Sequence, residues 1–238
     1  MQLFYNPELQ IKDQQFTFDK IESRHIIRVL RKKEGEQLHI TNGKGYLFTS
    51  KIIDASDKKC KVAITNIEEK EKPRNYYLHI AIAPTKNNDR FEWFLEKATE
   101  IGIDEITPII CDHSERKVVK IERLQKIIEA AGKQSLKFHF PKLNTPLKFT
   151  DFISTVKCEP KFIAHCDPSV NRFPLVNLLK NEKDTLLLIG PEGDFSSSEI
   201  QSALDQKFVP VMLSESRLRT ETAGIHATSL VACINTKK

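Results

Sequence analysis

LLLIGPEGDFSSS, residues 186–198, runs four apolar side chains straight into a glycine-bearing loop and then into a helix signal. A run of that length suits a strand buried on both faces, where neither side meets water and no polar alternation is needed. Gly190 and Gly193 bracket Pro191 and Glu192, so the backbone can turn sharply and approach a ligand with no Cβ in the way. Ser196 with Glu199 three residues on is a capping-box pattern, in which each side chain serves the other's backbone N–H. The chain has 8 glycines in 238 residues, about half the usual share, so two within four positions stand out. Taken alone, the stretch is equally well an ordinary strand-to-helix turn.

Outward from this stretch the alternation continues. Strands are expected over residues 76–84, 105–111, 161–166, 185–189 and 208–213, and helices over 89–101, 121–133, 175–179 and 223–234. In the first helix Phe91, Phe94, Leu95, Ala98 and Ile101 share one face, with Asp89 as cap and Gly102 as stop. Such alternation specifies an α/β domain with a largely parallel sheet, whose ligands sit beyond the carboxyl ends of its strands. Residues 84–88, 165–168 and 190–195 lie there. SESRLRTETAG, residues 214–224, adds a fourth segment, and its position between a strand and the last helix makes Arg217, Arg219, Glu221 and Thr222 site candidates. Thr220 or Glu221 can equally be no more than the start of that helix.

Residues 68–75, EEKEKPRN, read as a linker. Before it the pattern is mostly β, over residues 38–41, 46–54 and 61–67, with a hairpin signal at Asn42-Gly43-Lys44-Gly45. One helix interrupts, over residues 23–33. Arg24, Arg28 and Arg31 recur there at i, i+4 and i+7, on one helical face, with Lys32 beside them and Ile26, Ile27 and Leu30 inward. Such a stripe can follow an RNA phosphate backbone, or it can be a solvated basic face.

Composition narrows the class. A hydrophobic share of 39% with 29% charged residues suits a soluble globular chain, and 37 basic against 32 acidic residues, a net charge of +5, permits a polyanionic partner without requiring one. The 5 cysteines form no CxxC pair, which points to free thiols in a reducing cytoplasm and away from a disulfide framework or zinc. No secretion signal and no apolar run long enough for a membrane span is present, so a cytoplasmic location is expected. Metal-ligand spacing, a Ser-His-Asp order, a Walker lysine and GxGxxG are all missing, so no metal is expected.

IGPEGDF (189–195) and LRTETAG (218–224), preceded by KATEIGI (97–103) and KQSLK (133–137), closely resemble the ribosomal RNA small subunit methyltransferase E family of the SPOUT class. RHIIRVLRKKEG (24–35) resembles the PUA-like RNA-binding module of that family, so nearly the whole chain is covered. The resemblance implies a small N-terminal PUA-like β-barrel domain over residues 1–70. It implies an α/β SPOUT methyltransferase domain with a trefoil knot over residues 71–238, which binds S-adenosylmethionine and pairs into a homodimer. The reaction implied is methylation of N3 of a uridine in 16S ribosomal RNA, in the decoding region of the small subunit. By the same resemblance the cofactor lies among three loops and draws on Ala164, His165, Ile189, Gly190, Pro191, Glu192, Gly193, Leu213, Ser214, Leu218, Thr222 and Ala223. The chain departs from the family at Ser214 and Asp194, where glycines are usual, and at Lys137, where an arginine is usual.

Uracil N3 carries a proton at neutral pH that must leave before or during attack, and donors must hold the charge that develops on O2 and O4. Arg219 is the first choice of donor and Lys86 the second, with Glu221 or Glu192 as proton acceptor. The alternatives are a SPOUT enzyme acting on another RNA or on a ribose hydroxyl, and a non-catalytic RNA-binding ribosome-assembly factor. The last helix, with Ile225, Leu230, Val231 and Ile234, offers an apolar surface for the implied dimer.

Overall fold

The computed structural model describes residues 1–180 and 183–236. The chain divides into two compact units, one of Met1–Pro73 with Gly132–Phe140 and one of Arg74–Ala131 with Pro141–Lys238.

The first unit is a five-stranded sheet, β1 (Leu3–Tyr5), β2 (Gln15–Thr17), β3 (Gln37–Thr41), β4 (Tyr46–Asp54) and β5 (Lys61–Glu69), in the order β1-β3-β4-β5-β2. The expected hairpin joins β3 to β4: Gly43 at φ +71° and Gly45 at φ +96° take left-handed positions that side chains resist, and Asn42 Oδ1 accepts the Lys44 N–H. Two register shifts between β4 and β5 bend the sheet around Phe4, Ile26, Ile40, Phe48, Ile52 and Val62.

The basic helix departs from expectation. Asp19 caps a five-residue α1 (Lys20–Arg24), which passes into a π-helical turn at His25–Val29 and ends at Arg31, where φ is +56°. The π turn spaces its hydrogen bonds five residues apart, as in Leu30 N–H to His25 O at 2.9 Å. The i, i+4, i+7 spacing of Arg24, Arg28 and Arg31 therefore does not make a single α-helical face. Ile26 is the fully buried anchor, with Ile27 and Leu30 only packed against the core. Arg28 is bound at home to Asp57 at 2.8 Å, and Lys32 to Glu36 at 2.9 Å.

KQSLK belongs to this unit. Phe138 O accepts the Gly45 N–H at 2.8 Å and the Phe140 N–H reaches Gly43 O at 2.9 Å, so residues 138–140 pair with the hairpin tip. The Phe140 ring stacks on Tyr5 at 4.6 Å.

The second unit is an α/β sheet in which every strand pair is parallel. Its strands are β6 (Leu78–Ile82), β7 (Glu105–Ile110), β8 (Lys142–Leu143), β9 (Leu147–Lys148), β10 (Lys161–Ala164), β11 (Phe173–Pro174), β12 (Thr185–Ile189) and β13 (Val209–Met212). The order is β11-β13-β10-β12-β6-β7-β8, with β9 also on β7. β12 and β6 are neighbours at its centre and every residue of both is buried, each large apolar side chain contributing about 1.5–3 kcal/mol relative to exposure. The connecting helices are α2 (Asn88–Ile101), α3 (Ile121–Gln134), α4 (Phe149–Thr155), α5 (Leu175–Leu178), α6 (Ser197–Asp205) and α7 (Thr220–Ile234). α2 is capped by Asn87 in place of Asp89, and Ile101 is exposed, not inward. The capping box of Ser196 and Glu199 opens α6 as expected. α7 starts at Thr220, the earlier of the starts the sequence offers and three residues before Ala223, and packs Gly224 on Phe94 of α2, where a Cβ would come within 2.6 Å of the ring. Among the described residues no helix is long and apolar enough to cross a membrane.

Candidate active site

β10 lies between β12 and β13, and its last residue, Ala164, pairs with Ile189 on one side and Val211 on the other. The carboxyl ends of three adjacent parallel strands are therefore level, and the loops leaving them enclose a cavity of about 280 Å³, near the lower end for small-molecule sites. Side-chain bonds fix these loops. Thr220 Oγ1, buried at the start of α7, donates to Gly190 O at 3.0 Å. Arg217 reaches Glu192 O at 3.1 Å, and Arg172 reaches His165 O at 2.7 Å. Asp194 sits at φ +64°, a left-handed position that Asp tolerates better than most residues. Its carboxylate accepts the Cys166 N–H at 2.7 Å and the Phe195 N–H at 2.8 Å, tying two loops together.

Ala164, His165, Ile189, Gly190, Pro191, Glu192, Leu213, Ser214, Leu218, Ala223 and Arg219 all line the cavity. Gly193, Thr222, Glu221 and Lys86 do not. A Cβ on Gly193 would meet His113 at 3.1 Å, and His113 Nδ1 bonds Gly193 O at 3.1 Å, so the missing side chain of this glycine makes room for His113. Gly190 does line the cavity, yet its Cβ would meet the Phe195 ring at 3.1 Å. α7 turns Thr220 and Ala223 to the cavity, and Thr222, off by one residue, points elsewhere on the helix. Glu221 is buried beside Arg90, 3.8 Å away, with Oε2 unpartnered among the described residues. The Lys86 ammonium is exposed and paired with Glu115 at 2.7 Å; that bond raises its pKa. What Lys86 offers the site is its backbone N–H, which donates to Glu192 Oε1 at 2.9 Å.

Two groups on the wall are left for an occupant. The Arg219 guanidinium has no partner among the described residues. His165 is buried, and its Nδ1 accepts the Asp167 N–H at 3.2 Å, which leaves the ring proton on Nε2. Burial lowers its pKa against the pull of Asp194, so the ring is neutral at pH 7, and Nε2 has no partner among the described residues. A buried donor without an acceptor costs roughly 1–3 kcal/mol, which suits a site completed by a ligand. A nucleoside, rich in acceptor atoms, fits these walls. Among the described residues no cluster of His, Cys, Asp and Glu could hold a metal ion. Arg172 lies outside the sequence motifs, and Asp194 and Thr220, though inside IGPEGDF and LRTETAG, take their loop-tying roles only from the adjacency of the strand ends.

Residues 70–232 match the profile of a family described as RNA methyltransferase domain, and residues 18–65 that of RNA methyltransferase PUA domain. Fold and site thus define the class as RNA methyltransferases with a PUA module. The chain is 30% identical over 233 residues to the ribosomal RNA small subunit methyltransferase E of Buchnera aphidicola, covering 93% of this chain and 90% of that one. It is similar to a crystal structure from Porphyromonas gingivalis described as a probable rRNA-methyltransferase, with a TM-score of 0.91, 43% identity and coverage of 99% and 98%. A methyltransferase of Legionella pneumophila, solved with the cofactor SAM bound, is similar at a TM-score of 0.87 and 30% identity, with coverage of 98% and 97%. The chain belongs to the ribosomal RNA small subunit methyltransferase E family.

Proposed function

We propose that this protein methylates N3 of a uridine in the decoding region of 16S ribosomal RNA, with S-adenosylmethionine bound in the three-loop cavity. The observation that carries the reading is the cavity itself, closed by the loops of three level strand ends and walled by two unspent donors, His165 and Arg219. The cofactor, when bound, supplies an electrophilic methyl group on a sulfonium. The loop from Ile189 to Glu192, with Leu213, Leu218 and Ala223, would hold it and exclude water. Arg219 stands free to hold the negative charge that develops on the uracil oxygens. Of the carboxylates considered, Glu192 lies on the wall and Glu221 does not, so Glu192 takes the N3 proton. Calorimetric titration with S-adenosylmethionine tests the cofactor reading. One site per chain is expected, weakened in His165→Phe, and no heat of binding contradicts it.

The first unit, which takes in residues 132–140 besides the 1–70 expected for it, holds the RNA, and the rest of the 71–238 stretch carries the reaction, as a cytoplasmic homodimer with the knot of its family. Ile225, Leu230 and Ile234 remain partly exposed on α7 and support the dimer, for which sedimentation at micromolar concentration is the check. For RNA, Arg24 and Arg31 should count for more than Arg28 and Lys32, which already hold carboxylates. Replacing Arg24 and Arg31 by alanine should lower the slope of log affinity against log salt by about 0.7–0.9 per lost contact, measured by filter binding. An unchanged slope would make both groups solvated surface.

A further inference from the structure

The loop after β7 grips the loop after β12 at two points, and one of them runs through a third loop. His113 reaches Gly193 O at 3.1 Å and Asp194 O at 3.0 Å directly. Three residues on, half-buried Arg116 turns to the segment after β6. Its Nε donates to Thr85 O at 3.1 Å and Lys86 O at 3.2 Å, and a terminal nitrogen donates to Lys86 O at 2.6 Å. The Lys86 N–H in turn donates to Glu192 Oε1 at 2.9 Å, while Glu192 O is held from the other side by Arg217. Arg116 itself does not line the cavity. It spends its guanidinium on backbone carbonyls of a segment whose next N–H fixes a cavity-wall carboxylate.

We propose that Arg116 is a positioning residue for the cofactor loop, acting through the Thr85–Lys86 backbone and the Lys86–Glu192 hydrogen bond. This rests on the reading of the cavity as the S-adenosylmethionine site. A planar fork is needed because adjacent carbonyls are engaged at once, which an ammonium does less well. The chain of bonds ends on Glu192, so the effect of Arg116 should vanish when the Glu192 side chain is gone.

The test is a double-mutant cycle on the full chain, read as affinity for S-adenosylmethionine by calorimetry and as the split between KM and kcat. Arg116→Ala should weaken cofactor affinity about tenfold, the scale of losing charged hydrogen bonds, with KM raised in step, and kcat at saturating cofactor should fall too because the displaced Glu192 is the group that takes the N3 proton. Arg116→Lys should recover only part of the affinity, and it stands in if the alanine variant does not fold. In a Glu192→Ala background, Arg116→Ala should cost no further affinity. Full additivity of the two losses, or wild-type affinity in Arg116→Ala, overturns the inference while leaving the cavity reading intact. Absence of binding by the unaltered protein would instead remove the reading on which it rests.

Discussion

Arg219→Ala is expected to slow single-turnover methyl transfer by about 10²-fold or more while S-adenosylmethionine affinity stays close to that of the unaltered protein. Three arginines line the cavity, and two are already committed, Arg172 to His165 O and Arg217 to Glu192 O. Those two shape loops. Arg219 stands at the N-terminal end of α7 with no side-chain cap bond and no partner to lose on meeting a substrate. Loss of the N3 proton leaves negative charge on uracil O2 and O4, and a fixed guanidinium can bridge such oxygens where an ammonium does so less well. Arg219→Lys should therefore fall between wild type and alanine in rate. Cofactor affinity, RNA affinity and single-turnover rate must be measured separately. A fall of cofactor affinity in parallel with rate would reassign Arg219 to the shape of the loop.

Below pH 4.5 the fold is expected to lose on the order of 3 kcal/mol through one carboxylate, Glu105, at the start of β7. Burial pushes its pKa up, but hydrogen bonds from Asn144 and Tyr77, both at 2.7 Å, with His79 and Lys142 nearby, outweigh burial and bring it down to about 2 from 4.5. Its side chain is only 15% exposed, so screening by solvent is modest. The unfolded chain binds the proton near pH 4.5 and the folded chain only near 2. Stability from this group is therefore complete above 4.5 and drains away as pH falls toward 2. His79 acts in the same direction at higher pH: burial lowers its pKa, so acid must charge a ring that the fold keeps neutral. Glu105→Gln should be less stable at pH 7 and should fall less steeply below pH 4.5, where Glu36, Asp57, Glu68 and Asp167, whose pKa values are also lowered by their partners, still contribute, while keeping the His79 slope above it. Urea unfolding across pH 7 to 3 measures this, and equal slopes below pH 4.5 in both proteins would contradict it.

Legibility followed the range of the interactions. The β12 strand, its glycine loop and the capping box of α6 could be read because each is written in a few consecutive residues. The cavity was placed by one further rule, that ligands sit beyond parallel strand ends, and by family resemblance. What could not be read depends on neighbours distant in sequence. Residues 138–140 pair with Gly43 and Gly45, about ninety positions earlier, and nothing in KQSLK itself shows that. The sequence of the Gly193 loop gives no sign that its missing Cβ accommodates His113, eighty residues away. The Lys86 ammonium was the visible chemistry, whereas its N–H is what reaches Glu192. Around Arg24, Arg28 and Arg31 the difference is local: their spacing fits a period of 3.6, and the backbone opens into a π turn.

The most direct measurement is the identity of the methylated nucleoside. Small ribosomal subunits and free 16S RNA from cells lacking this gene would be incubated with the purified protein and labelled S-adenosylmethionine, digested, and resolved by mass spectrometry. One new 3-methyluridine is expected, confined to the decoding region and strongly reduced with Arg219→Ala. A label on a ribose hydroxyl or another base, or no label from a protein shown to bind the cofactor, would contradict it.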